Sequence, residues 1–188
     1  MQVLELAFYL ASWGMYRGSS GLLQKNHLIH KAAVDILFSE SNQKLKCNQS
    51  TEVKSHNIKD ILQIKNQLAK HYSSINFSKG TNKVKSITPT DTLLSKVMLG
   101  TIGCVPAYDR YFIDGLKEMK MQHIKFDTAS LLEIFKFIET NKAEFIAAQK
   151  LILAKTKIHY PLMKIVDMYF WQIGFDKEKI TKTLIINT

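Results

Sequence analysis

Several residue types are scarce in this 188-residue chain, and each scarcity narrows what the chain can be. Two cysteines, Cys47 and Cys104, are too few for a disulfide framework and are not spaced as metal ligands. That excludes a disulfide-stapled secreted domain and a cysteine-based zinc module. No apolar run reaches the roughly 18 residues that a membrane span requires. Glu5 interrupts the apolar N-terminal stretch and no basic region precedes it, so these residues do not read as a signal peptide. The expectation is a cytoplasmic protein with no membrane partner, no metal and no cofactor. Arginine is the most informative scarcity. Only Arg17 and Arg110 stand against twenty-four lysines (26 basic residues minus two). An arginine kept in so lysine-rich a chain is a candidate for planar bidentate bonding or for stacking on aromatic rings, which an ammonium does not do.

What is present suits a folded domain. Hydrophobic residues make up 46% and charged residues 22%, enough for a core and too balanced for global disorder. The expected unit is a single helical domain over residues 1–188. The net charge of +10 permits attraction to nucleic acid, another polyanion or an acidic protein, and it also fits plain solubility in a lysine-biased chain.

Apolar residues recur at helical spacing along most of the chain. Val3, Leu6, Leu10 and Trp13 mark a first helix, over 2–16 and ending near Gly18. Asn26 caps a second, carrying Ile29, Ala33, Ile36 and Leu37. Residues 40–55 read as a loop, followed by a helix over 57–72. Residues 73–89, rich in Ser, Asn, Gly and Lys, read as a mobile loop closed by Pro89. Thr90 caps a helix that ends at Gly100 and Gly103, before Pro106. A short helix then runs from Tyr108 or Asp109 to about Met119. Asp127 caps the next, Asn141 and Glu144 form a capping pattern for another, and Pro161 opens a last helix that stops at Gly174. The tail from 177 to 188 reads as mobile. With about eight short helices and no alternating strand pattern, the predicted fold is all-α, a single orthogonal bundle.

Two segments can carry chemistry. In Arg17-Gly-Ser-Ser-Gly21, Ser19 and Ser20 with neighbouring backbone amides can face an anion, completed by Arg17 or Lys25. The same residues can simply turn a helix corner, with Arg17 on helix-end carbonyls and Gly18 in a left-handed conformation. In Val105-Pro-Ala-Tyr-Asp-Arg-Tyr-Phe112, Asp109 falls at a helix start, as a cap or as a carboxylate facing a cleft. Arg110, beside Tyr108 and Tyr111, can pair with Asp114 one turn on. His27 and His30 share a helix face, but without supporting acids or cysteines they read as one partly buried and one exposed histidine. The run Met168-Tyr-Phe-Trp171 reads as core, packed against Trp13, with an aromatic stacking platform as the alternative.

Thr92-Leu-Leu-Ser-Lys-Val-Met-Leu-Gly100 followed by Val105-Pro-Ala-Tyr-Asp-Arg-Tyr-Phe112 resembles a segment of the helix-hairpin-helix base-excision DNA glycosylases. There, a helix with a buried face leads through a Pro-containing stretch to an Asp at the start of the next helix. The resemblance covers residues 92–112. It implies that Asp109 is the catalytic carboxylate, activating a nucleophile or stabilising positive charge on the sugar. Lys96 is the lysine available to such a site. It stands thirteen positions earlier (109 − 96), within the helix and closer than the family's nucleophile. The glycine-rich hairpin of the family has only Gly100-Thr-Ile-Gly103 in its place. The paired Trp-Gly-Met-x-Arg-Gly-Ser-Ser and Pro-Ala-Tyr-Asp-Arg segments are also similar to bacterial families without assigned function.

Three functions compete. The first is a nucleic-acid-binding or DNA-processing domain, with Asp109 and Lys96 as catalytic groups and Arg17, Ser19, Ser20, Lys25, Tyr108 and Arg110 on nucleic acid or an anion. The second is a non-enzymatic interaction module in which both arginine segments are structural. The third is a small phosphoester- or nucleotide-binding enzyme built on the Gly-Ser-Ser-Gly turn.

Overall fold

A computed structural model describes residues 2–17, 20–48, 52–78 and 84–186, with the backbone alone for 180–186. The fold is all-α. Eight α-helices are described: α1 (Gln2–Ser12), α2 (Lys31–Leu37), α3 (Ile58–Ser73), α4 (Asp91–Thr101), α5 (Arg110–Glu118), α6 (Thr128–Thr140), α7 (Lys142–Thr156) and α8 (Leu162–Ile186). Short 3₁₀ turns at Leu22–Gln24, His27–His30, Glu40–Leu45 and Ser55–Asn57 carry the chain between the early helices. One apolar cluster, from Leu6 and Leu10 through Ile61, Ile64, Val97 and Phe112 to Val166 and Phe170, is shared by most of the helices.

Several helix starts follow from single side chains. Asn26, Thr90, Asp109 and Asp127 each accept a backbone N–H two or three residues on, satisfying one donor that the first turn leaves unpaired. Asn141 does not cap α7. Its amide instead donates to the Phe137 carbonyl at 2.8 Å, which ties off the end of α6 as α7 begins.

Three boundaries differ from the sequence reading. The segment expected as a mobile loop contains an antiparallel hairpin, β1 (Asn76–Ser78) with β2 (Val84–Ser86), in register Phe77 opposite Lys85. Phe77 is its one buried residue, so the sequence shows no alternation long enough to announce a strand. The first helix ends at Ser12 rather than near residue 16. Gly14, at φ +67°, takes the left-handed position expected of Gly18, which lies outside the described residues.

The last helix does not stop at Gly174, and the expected mobile tail is helical as far as Ile186. Gly174 serves close packing instead. A Cβ there would lie 2.0 Å from the Tyr111 carbonyl oxygen, and one at Gly115 would lie 1.9 Å from that of Phe170. The two glycines bring α5 and α8 into backbone contact. Ion pairs from Arg110 to Glu178 and from Lys177 to Glu118 continue the contact past Gly174. Among the described residues, no helix is long and apolar enough to cross a membrane.

Candidate functional site

Asp109 is the N-cap of α5, and its two carboxylate oxygens have different work. Oδ1 accepts the Phe112 N–H at 3.1 Å, while Oδ2 lies 3.2 Å from Lys96 Nζ. Lys96 projects from the middle of α4, with 6% of its side chain exposed against 14% for Asp109. A lysine in an otherwise apolar helix face is costly to bury unless a carboxylate meets it, and Asp109 does. Its ammonium also lies 4.9 Å from the centre of the Trp13 ring, a cation–π contact made in largely desolvated surroundings.

A second ion pair adjoins the first. Lys164 Nζ is 2.7 Å from Asp167 Oδ2 and also 4.9 Å from the Trp13 ring centre. Asp167 is 3% exposed, and its Oδ1 accepts the Ala107 N–H at 2.9 Å. Burial pushes the Asp167 pKa up, and the Asp109 charge adds to the rise. The Lys164 ammonium and the Ala107 N–H act in the opposite direction. The Tyr9 phenol, close by, is driven well above its usual range by burial and then by Asp167 and Asp109. Tyr9, Trp13, Lys96, Asp109, Lys164 and Asp167 thus line one small enclosed space.

The Lys96–Asp109 pair opens into a recess of about 610 Å³. Arg17, Ser20 and Arg110 line it with Lys96 and Asp109, and Trp13, Tyr111 and Trp171 supply aromatic wall. Arg17 is exposed, and its guanidinium folds back over the turn at Gly14, where an added Cβ would stand 3.2 Å from Nη2. Ser20 forms the next turn: its hydroxyl donates to the Arg17 carbonyl at 2.8 Å and accepts the Leu22 N–H at 3.3 Å. Arg110 stacks on Tyr111, 4.5 Å from the ring centre, and pairs with Glu178 at 2.6 Å. The expected Arg110–Asp114 pair does not form, since Asp114 pairs with Lys117.

The remaining candidates lie elsewhere. Tyr108 is fully buried, stacked on Phe126, with its hydroxyl 2.9 Å from that of Ser130, so it cannot touch nucleic acid. Neighbouring side chains of an extended stretch point to opposite sides, and Asp109 faces the recess while Tyr108 enters the core. Lys25 is half-buried and not part of the recess lining, and Ser19 lies outside the described residues. His30 is buried between two tyrosines while His27 is exposed, and no group of three metal-ligating side chains exists among the described residues.

Lys164 and Asp167 were not legible as site residues, although a Lys and an Asp three apart in the apolar run of α8 were a usable signal. Trp13 and Trp171 also line a second groove of about 910 Å³, walled by Phe137, Phe145, Met168 and Tyr169, with Lys164 and Asp167 in its lining as well.

Fold and site together define an all-α protein with a recess that combines two guanidinium groups, a buried Lys–Asp pair and three aromatic rings. Comparison with protein-family models, curated proteins and solved structures gives no match to the chain.

Proposed function

We propose that this protein binds nucleic acid and processes it as a glycosylase-like enzyme, cleaving the bond between a base and its sugar with Asp109 as the catalytic carboxylate. The observation that carries the reading is the convergence of Arg17, Lys96, Asp109 and Arg110, from three separate stretches of sequence, on one recess of about 610 Å³. That volume is in the range of small-ligand sites, roughly 300–1,000 Å³. Each part of a nucleotide has a matching surface there. Guanidinium groups at Arg17 and Arg110 suit phosphate oxygens. Trp13, Tyr111 and Trp171 offer ring faces to a base. The carboxylate of Asp109 would stabilise positive charge developing on the sugar carbon as the base departs. In a route through a covalent intermediate, Lys96 would instead pass a proton to Asp109 Oδ2, 3.2 Å away, and attack the same carbon as its bond to the base breaks. The net charge of +10 supports a polyanionic partner.

The test is single-turnover base release from a panel of DNA duplexes, each with one damaged or mismatched base. Asp109→Asn should abolish release while circular dichroism stays that of the wild type. Release that persists in this variant removes the mechanism, and oligonucleotide binding that is absent at low salt removes the nucleic-acid reading altogether.

The apolar groove beside α8 favours a second reading, a protein-interaction module, since Met168 and Tyr169 are 41% and 38% exposed there. A fixed partner that copurifies and is lost in Tyr169→Glu, with no nucleic-acid affinity in the wild type, would select it.

A further inference from the structure

The stretch that delivers Asp109 to the recess is not part of a helix, yet the peptide groups of its last three residues are held. The Ala107 N–H donates to Asp167 Oδ1 at 2.9 Å. The Tyr108 N–H donates to Ser95 Oγ at 2.8 Å, and the Tyr108 carbonyl accepts from the Thr92 hydroxyl at 2.8 Å. The Asp109 N–H closes back onto the Ala107 carbonyl at 2.8 Å. Two of the side chains come from α4, which also carries Lys96, and the third comes from α8.

Buried backbone groups need partners, but a helix or a strand would satisfy them without burying charge. Here a carboxylate 3% exposed does part of the work, and Lys164 at 2.7 Å neutralises it. Replacing such a pair by apolar residues is often neutral or stabilising, so stability alone is a weak reason for it.

We infer that Asp167, neutralised by Lys164, is a positioning residue for Asp109: through the Ala107 N–H it fixes the turn that aims the Asp109 carboxylate at Lys96 and the recess. The inference rests on reading Asp109 as the chemical group of that recess. Asp167 is not part of the recess lining, though it shares the small enclosed space behind it with Lys96 and Asp109. Its hydrogen-bonded link to Asp109 is one peptide group, two residues before it. Because Lys164 balances Asp167, Asp109 is left to balance Lys96, and Trp13 lies against both ammonium groups.

The test is made with Lys164→Met present in both variants, so that neither strands an ammonium: it compares Asp167→Ala, which removes the acceptor, with Asp167→Asn, whose amide oxygen still accepts the Ala107 N–H. On a duplex that the wild type processes, Asp167→Ala should lower the single-turnover rate by about 100-fold, the scale of a small misplacement of a reacting group. Duplex affinity, read by fluorescence anisotropy, should change less than about twofold, since no phosphate contact is lost. Asp167→Asn should recover most of the rate. Equal rates in Asp167→Ala and wild type, or no recovery in Asp167→Asn, overturn the inference. So does a parallel loss of affinity and rate.

Amide exchange gives a readout free of activity: the Phe112 N–H, bonded to Asp109 Oδ1, should exchange faster in Asp167→Ala and at the wild-type rate in Asp167→Asn. If the wild type releases no base while exchange follows this pattern, the enzyme reading fails and the positioning role stands. Unchanged exchange in Asp167→Ala overturns the positioning role. Should Asp167→Ala not fold, Asp167→Leu in the same background, apolar and closer in volume, makes the same comparison, and an unchanged rate and unchanged exchange there overturn it.

Discussion

Lys96 Nζ stands 3.2 Å from Asp109 Oδ2, and the same carboxylate caps α5 through its other oxygen. Charge pairing and helix capping therefore share one side chain, and two substitutions separate them. Asparagine caps a helix about as well as aspartate, so Asp109→Asn loses the charge and keeps the cap. It leaves Lys96 buried without a counter-charge, at a cost of about 3 kcal/mol. Asp109→Ala loses the cap as well and should be about 1 kcal/mol less stable again. Adding Lys96→Met to Asp109→Asn should recover most of the first loss. Urea denaturation of these variants and of Lys96→Met alone gives the cycle, and strict additivity of the two single substitutions would mean that the pair carries no coupling.

Gly174 and Gly115 set how closely α8 approaches α5, and Tyr111 and Trp171 reach the recess from that crossing. Gly174→Ala puts a methyl group 2.0 Å from the Tyr111 carbonyl oxygen, and backbone cannot yield as a side-chain tip can. The helices must separate. The expected loss is about 3 kcal/mol, at the upper end for overpacking. Gly100→Ala meets the Tyr9 ring first, a side chain rather than a helix backbone, so its loss should be smaller. Thermal melts of the two variants check the order, and equal melting temperatures would show that the crossing tolerates separation.

The same glycine shows where sequence reasoning lost its grip. A glycine after an apolar run reads as a helix end because it is the residue most often found there. It is equally what two helices need when their backbones touch, and that partner lies elsewhere in the chain. The caps at Thr90, Asp109 and Asp127 were legible because a cap acts within three residues. Asp109 and Arg110 stood out through their surroundings, and the all-α class through helical spacing. The pairing of Asp109 with Lys96 was not visible. Whether a helical lysine meets solvent or a carboxylate depends on how α4 is rotated against α5. Asp167 was further out of reach, since its second partner is the backbone of Ala107, sixty positions away (167 − 107), and a peptide N–H leaves no mark in a sequence.

His30 sets an acid limit on stability. Its Nε2 is 2.6 Å from the Tyr16 hydroxyl and its Nδ1 is 2.8 Å from the Tyr72 hydroxyl, with the ring buried between them. Burial lowers its pKa to about 4, helped by the nearby His71 and His27. The unfolded chain binds this proton near pH 6.5. Between those values the unfolded state holds more protons than the folded one, so stability falls as pH drops from about 6.5 to about 4 and levels off below. The shift corresponds to about 3 kcal/mol. Urea denaturation at a series of pH values should show this slope in the wild type and a flatter one in His30→Gln. An identical slope in both would assign the acid loss to other groups.

Arg110 is engaged by Glu178 at 2.6 Å, so a phosphate that takes the guanidinium must displace a carboxylate already there. The glutamate acts as an internal competitor, and it repels a polyanion as well. Glu178→Gln should therefore raise affinity for a single-stranded or duplex oligonucleotide. Arg110→Ala should weaken binding and flatten its salt dependence, because each phosphate contact contributes about 0.9 to the slope of log K against log salt on duplex DNA. Arg17→Ala should lower the slope in the same way, having no such competitor among its described contacts. In Arg110→Ala, the further change Glu178→Gln should give only the small gain from lost repulsion, since there is no guanidinium left to release. Anisotropy titrations across a salt series separate these effects. A Glu178→Gln gain of the same size with and without Arg110 would mean that the glutamate acts by repulsion alone and that Arg110 does not meet phosphate.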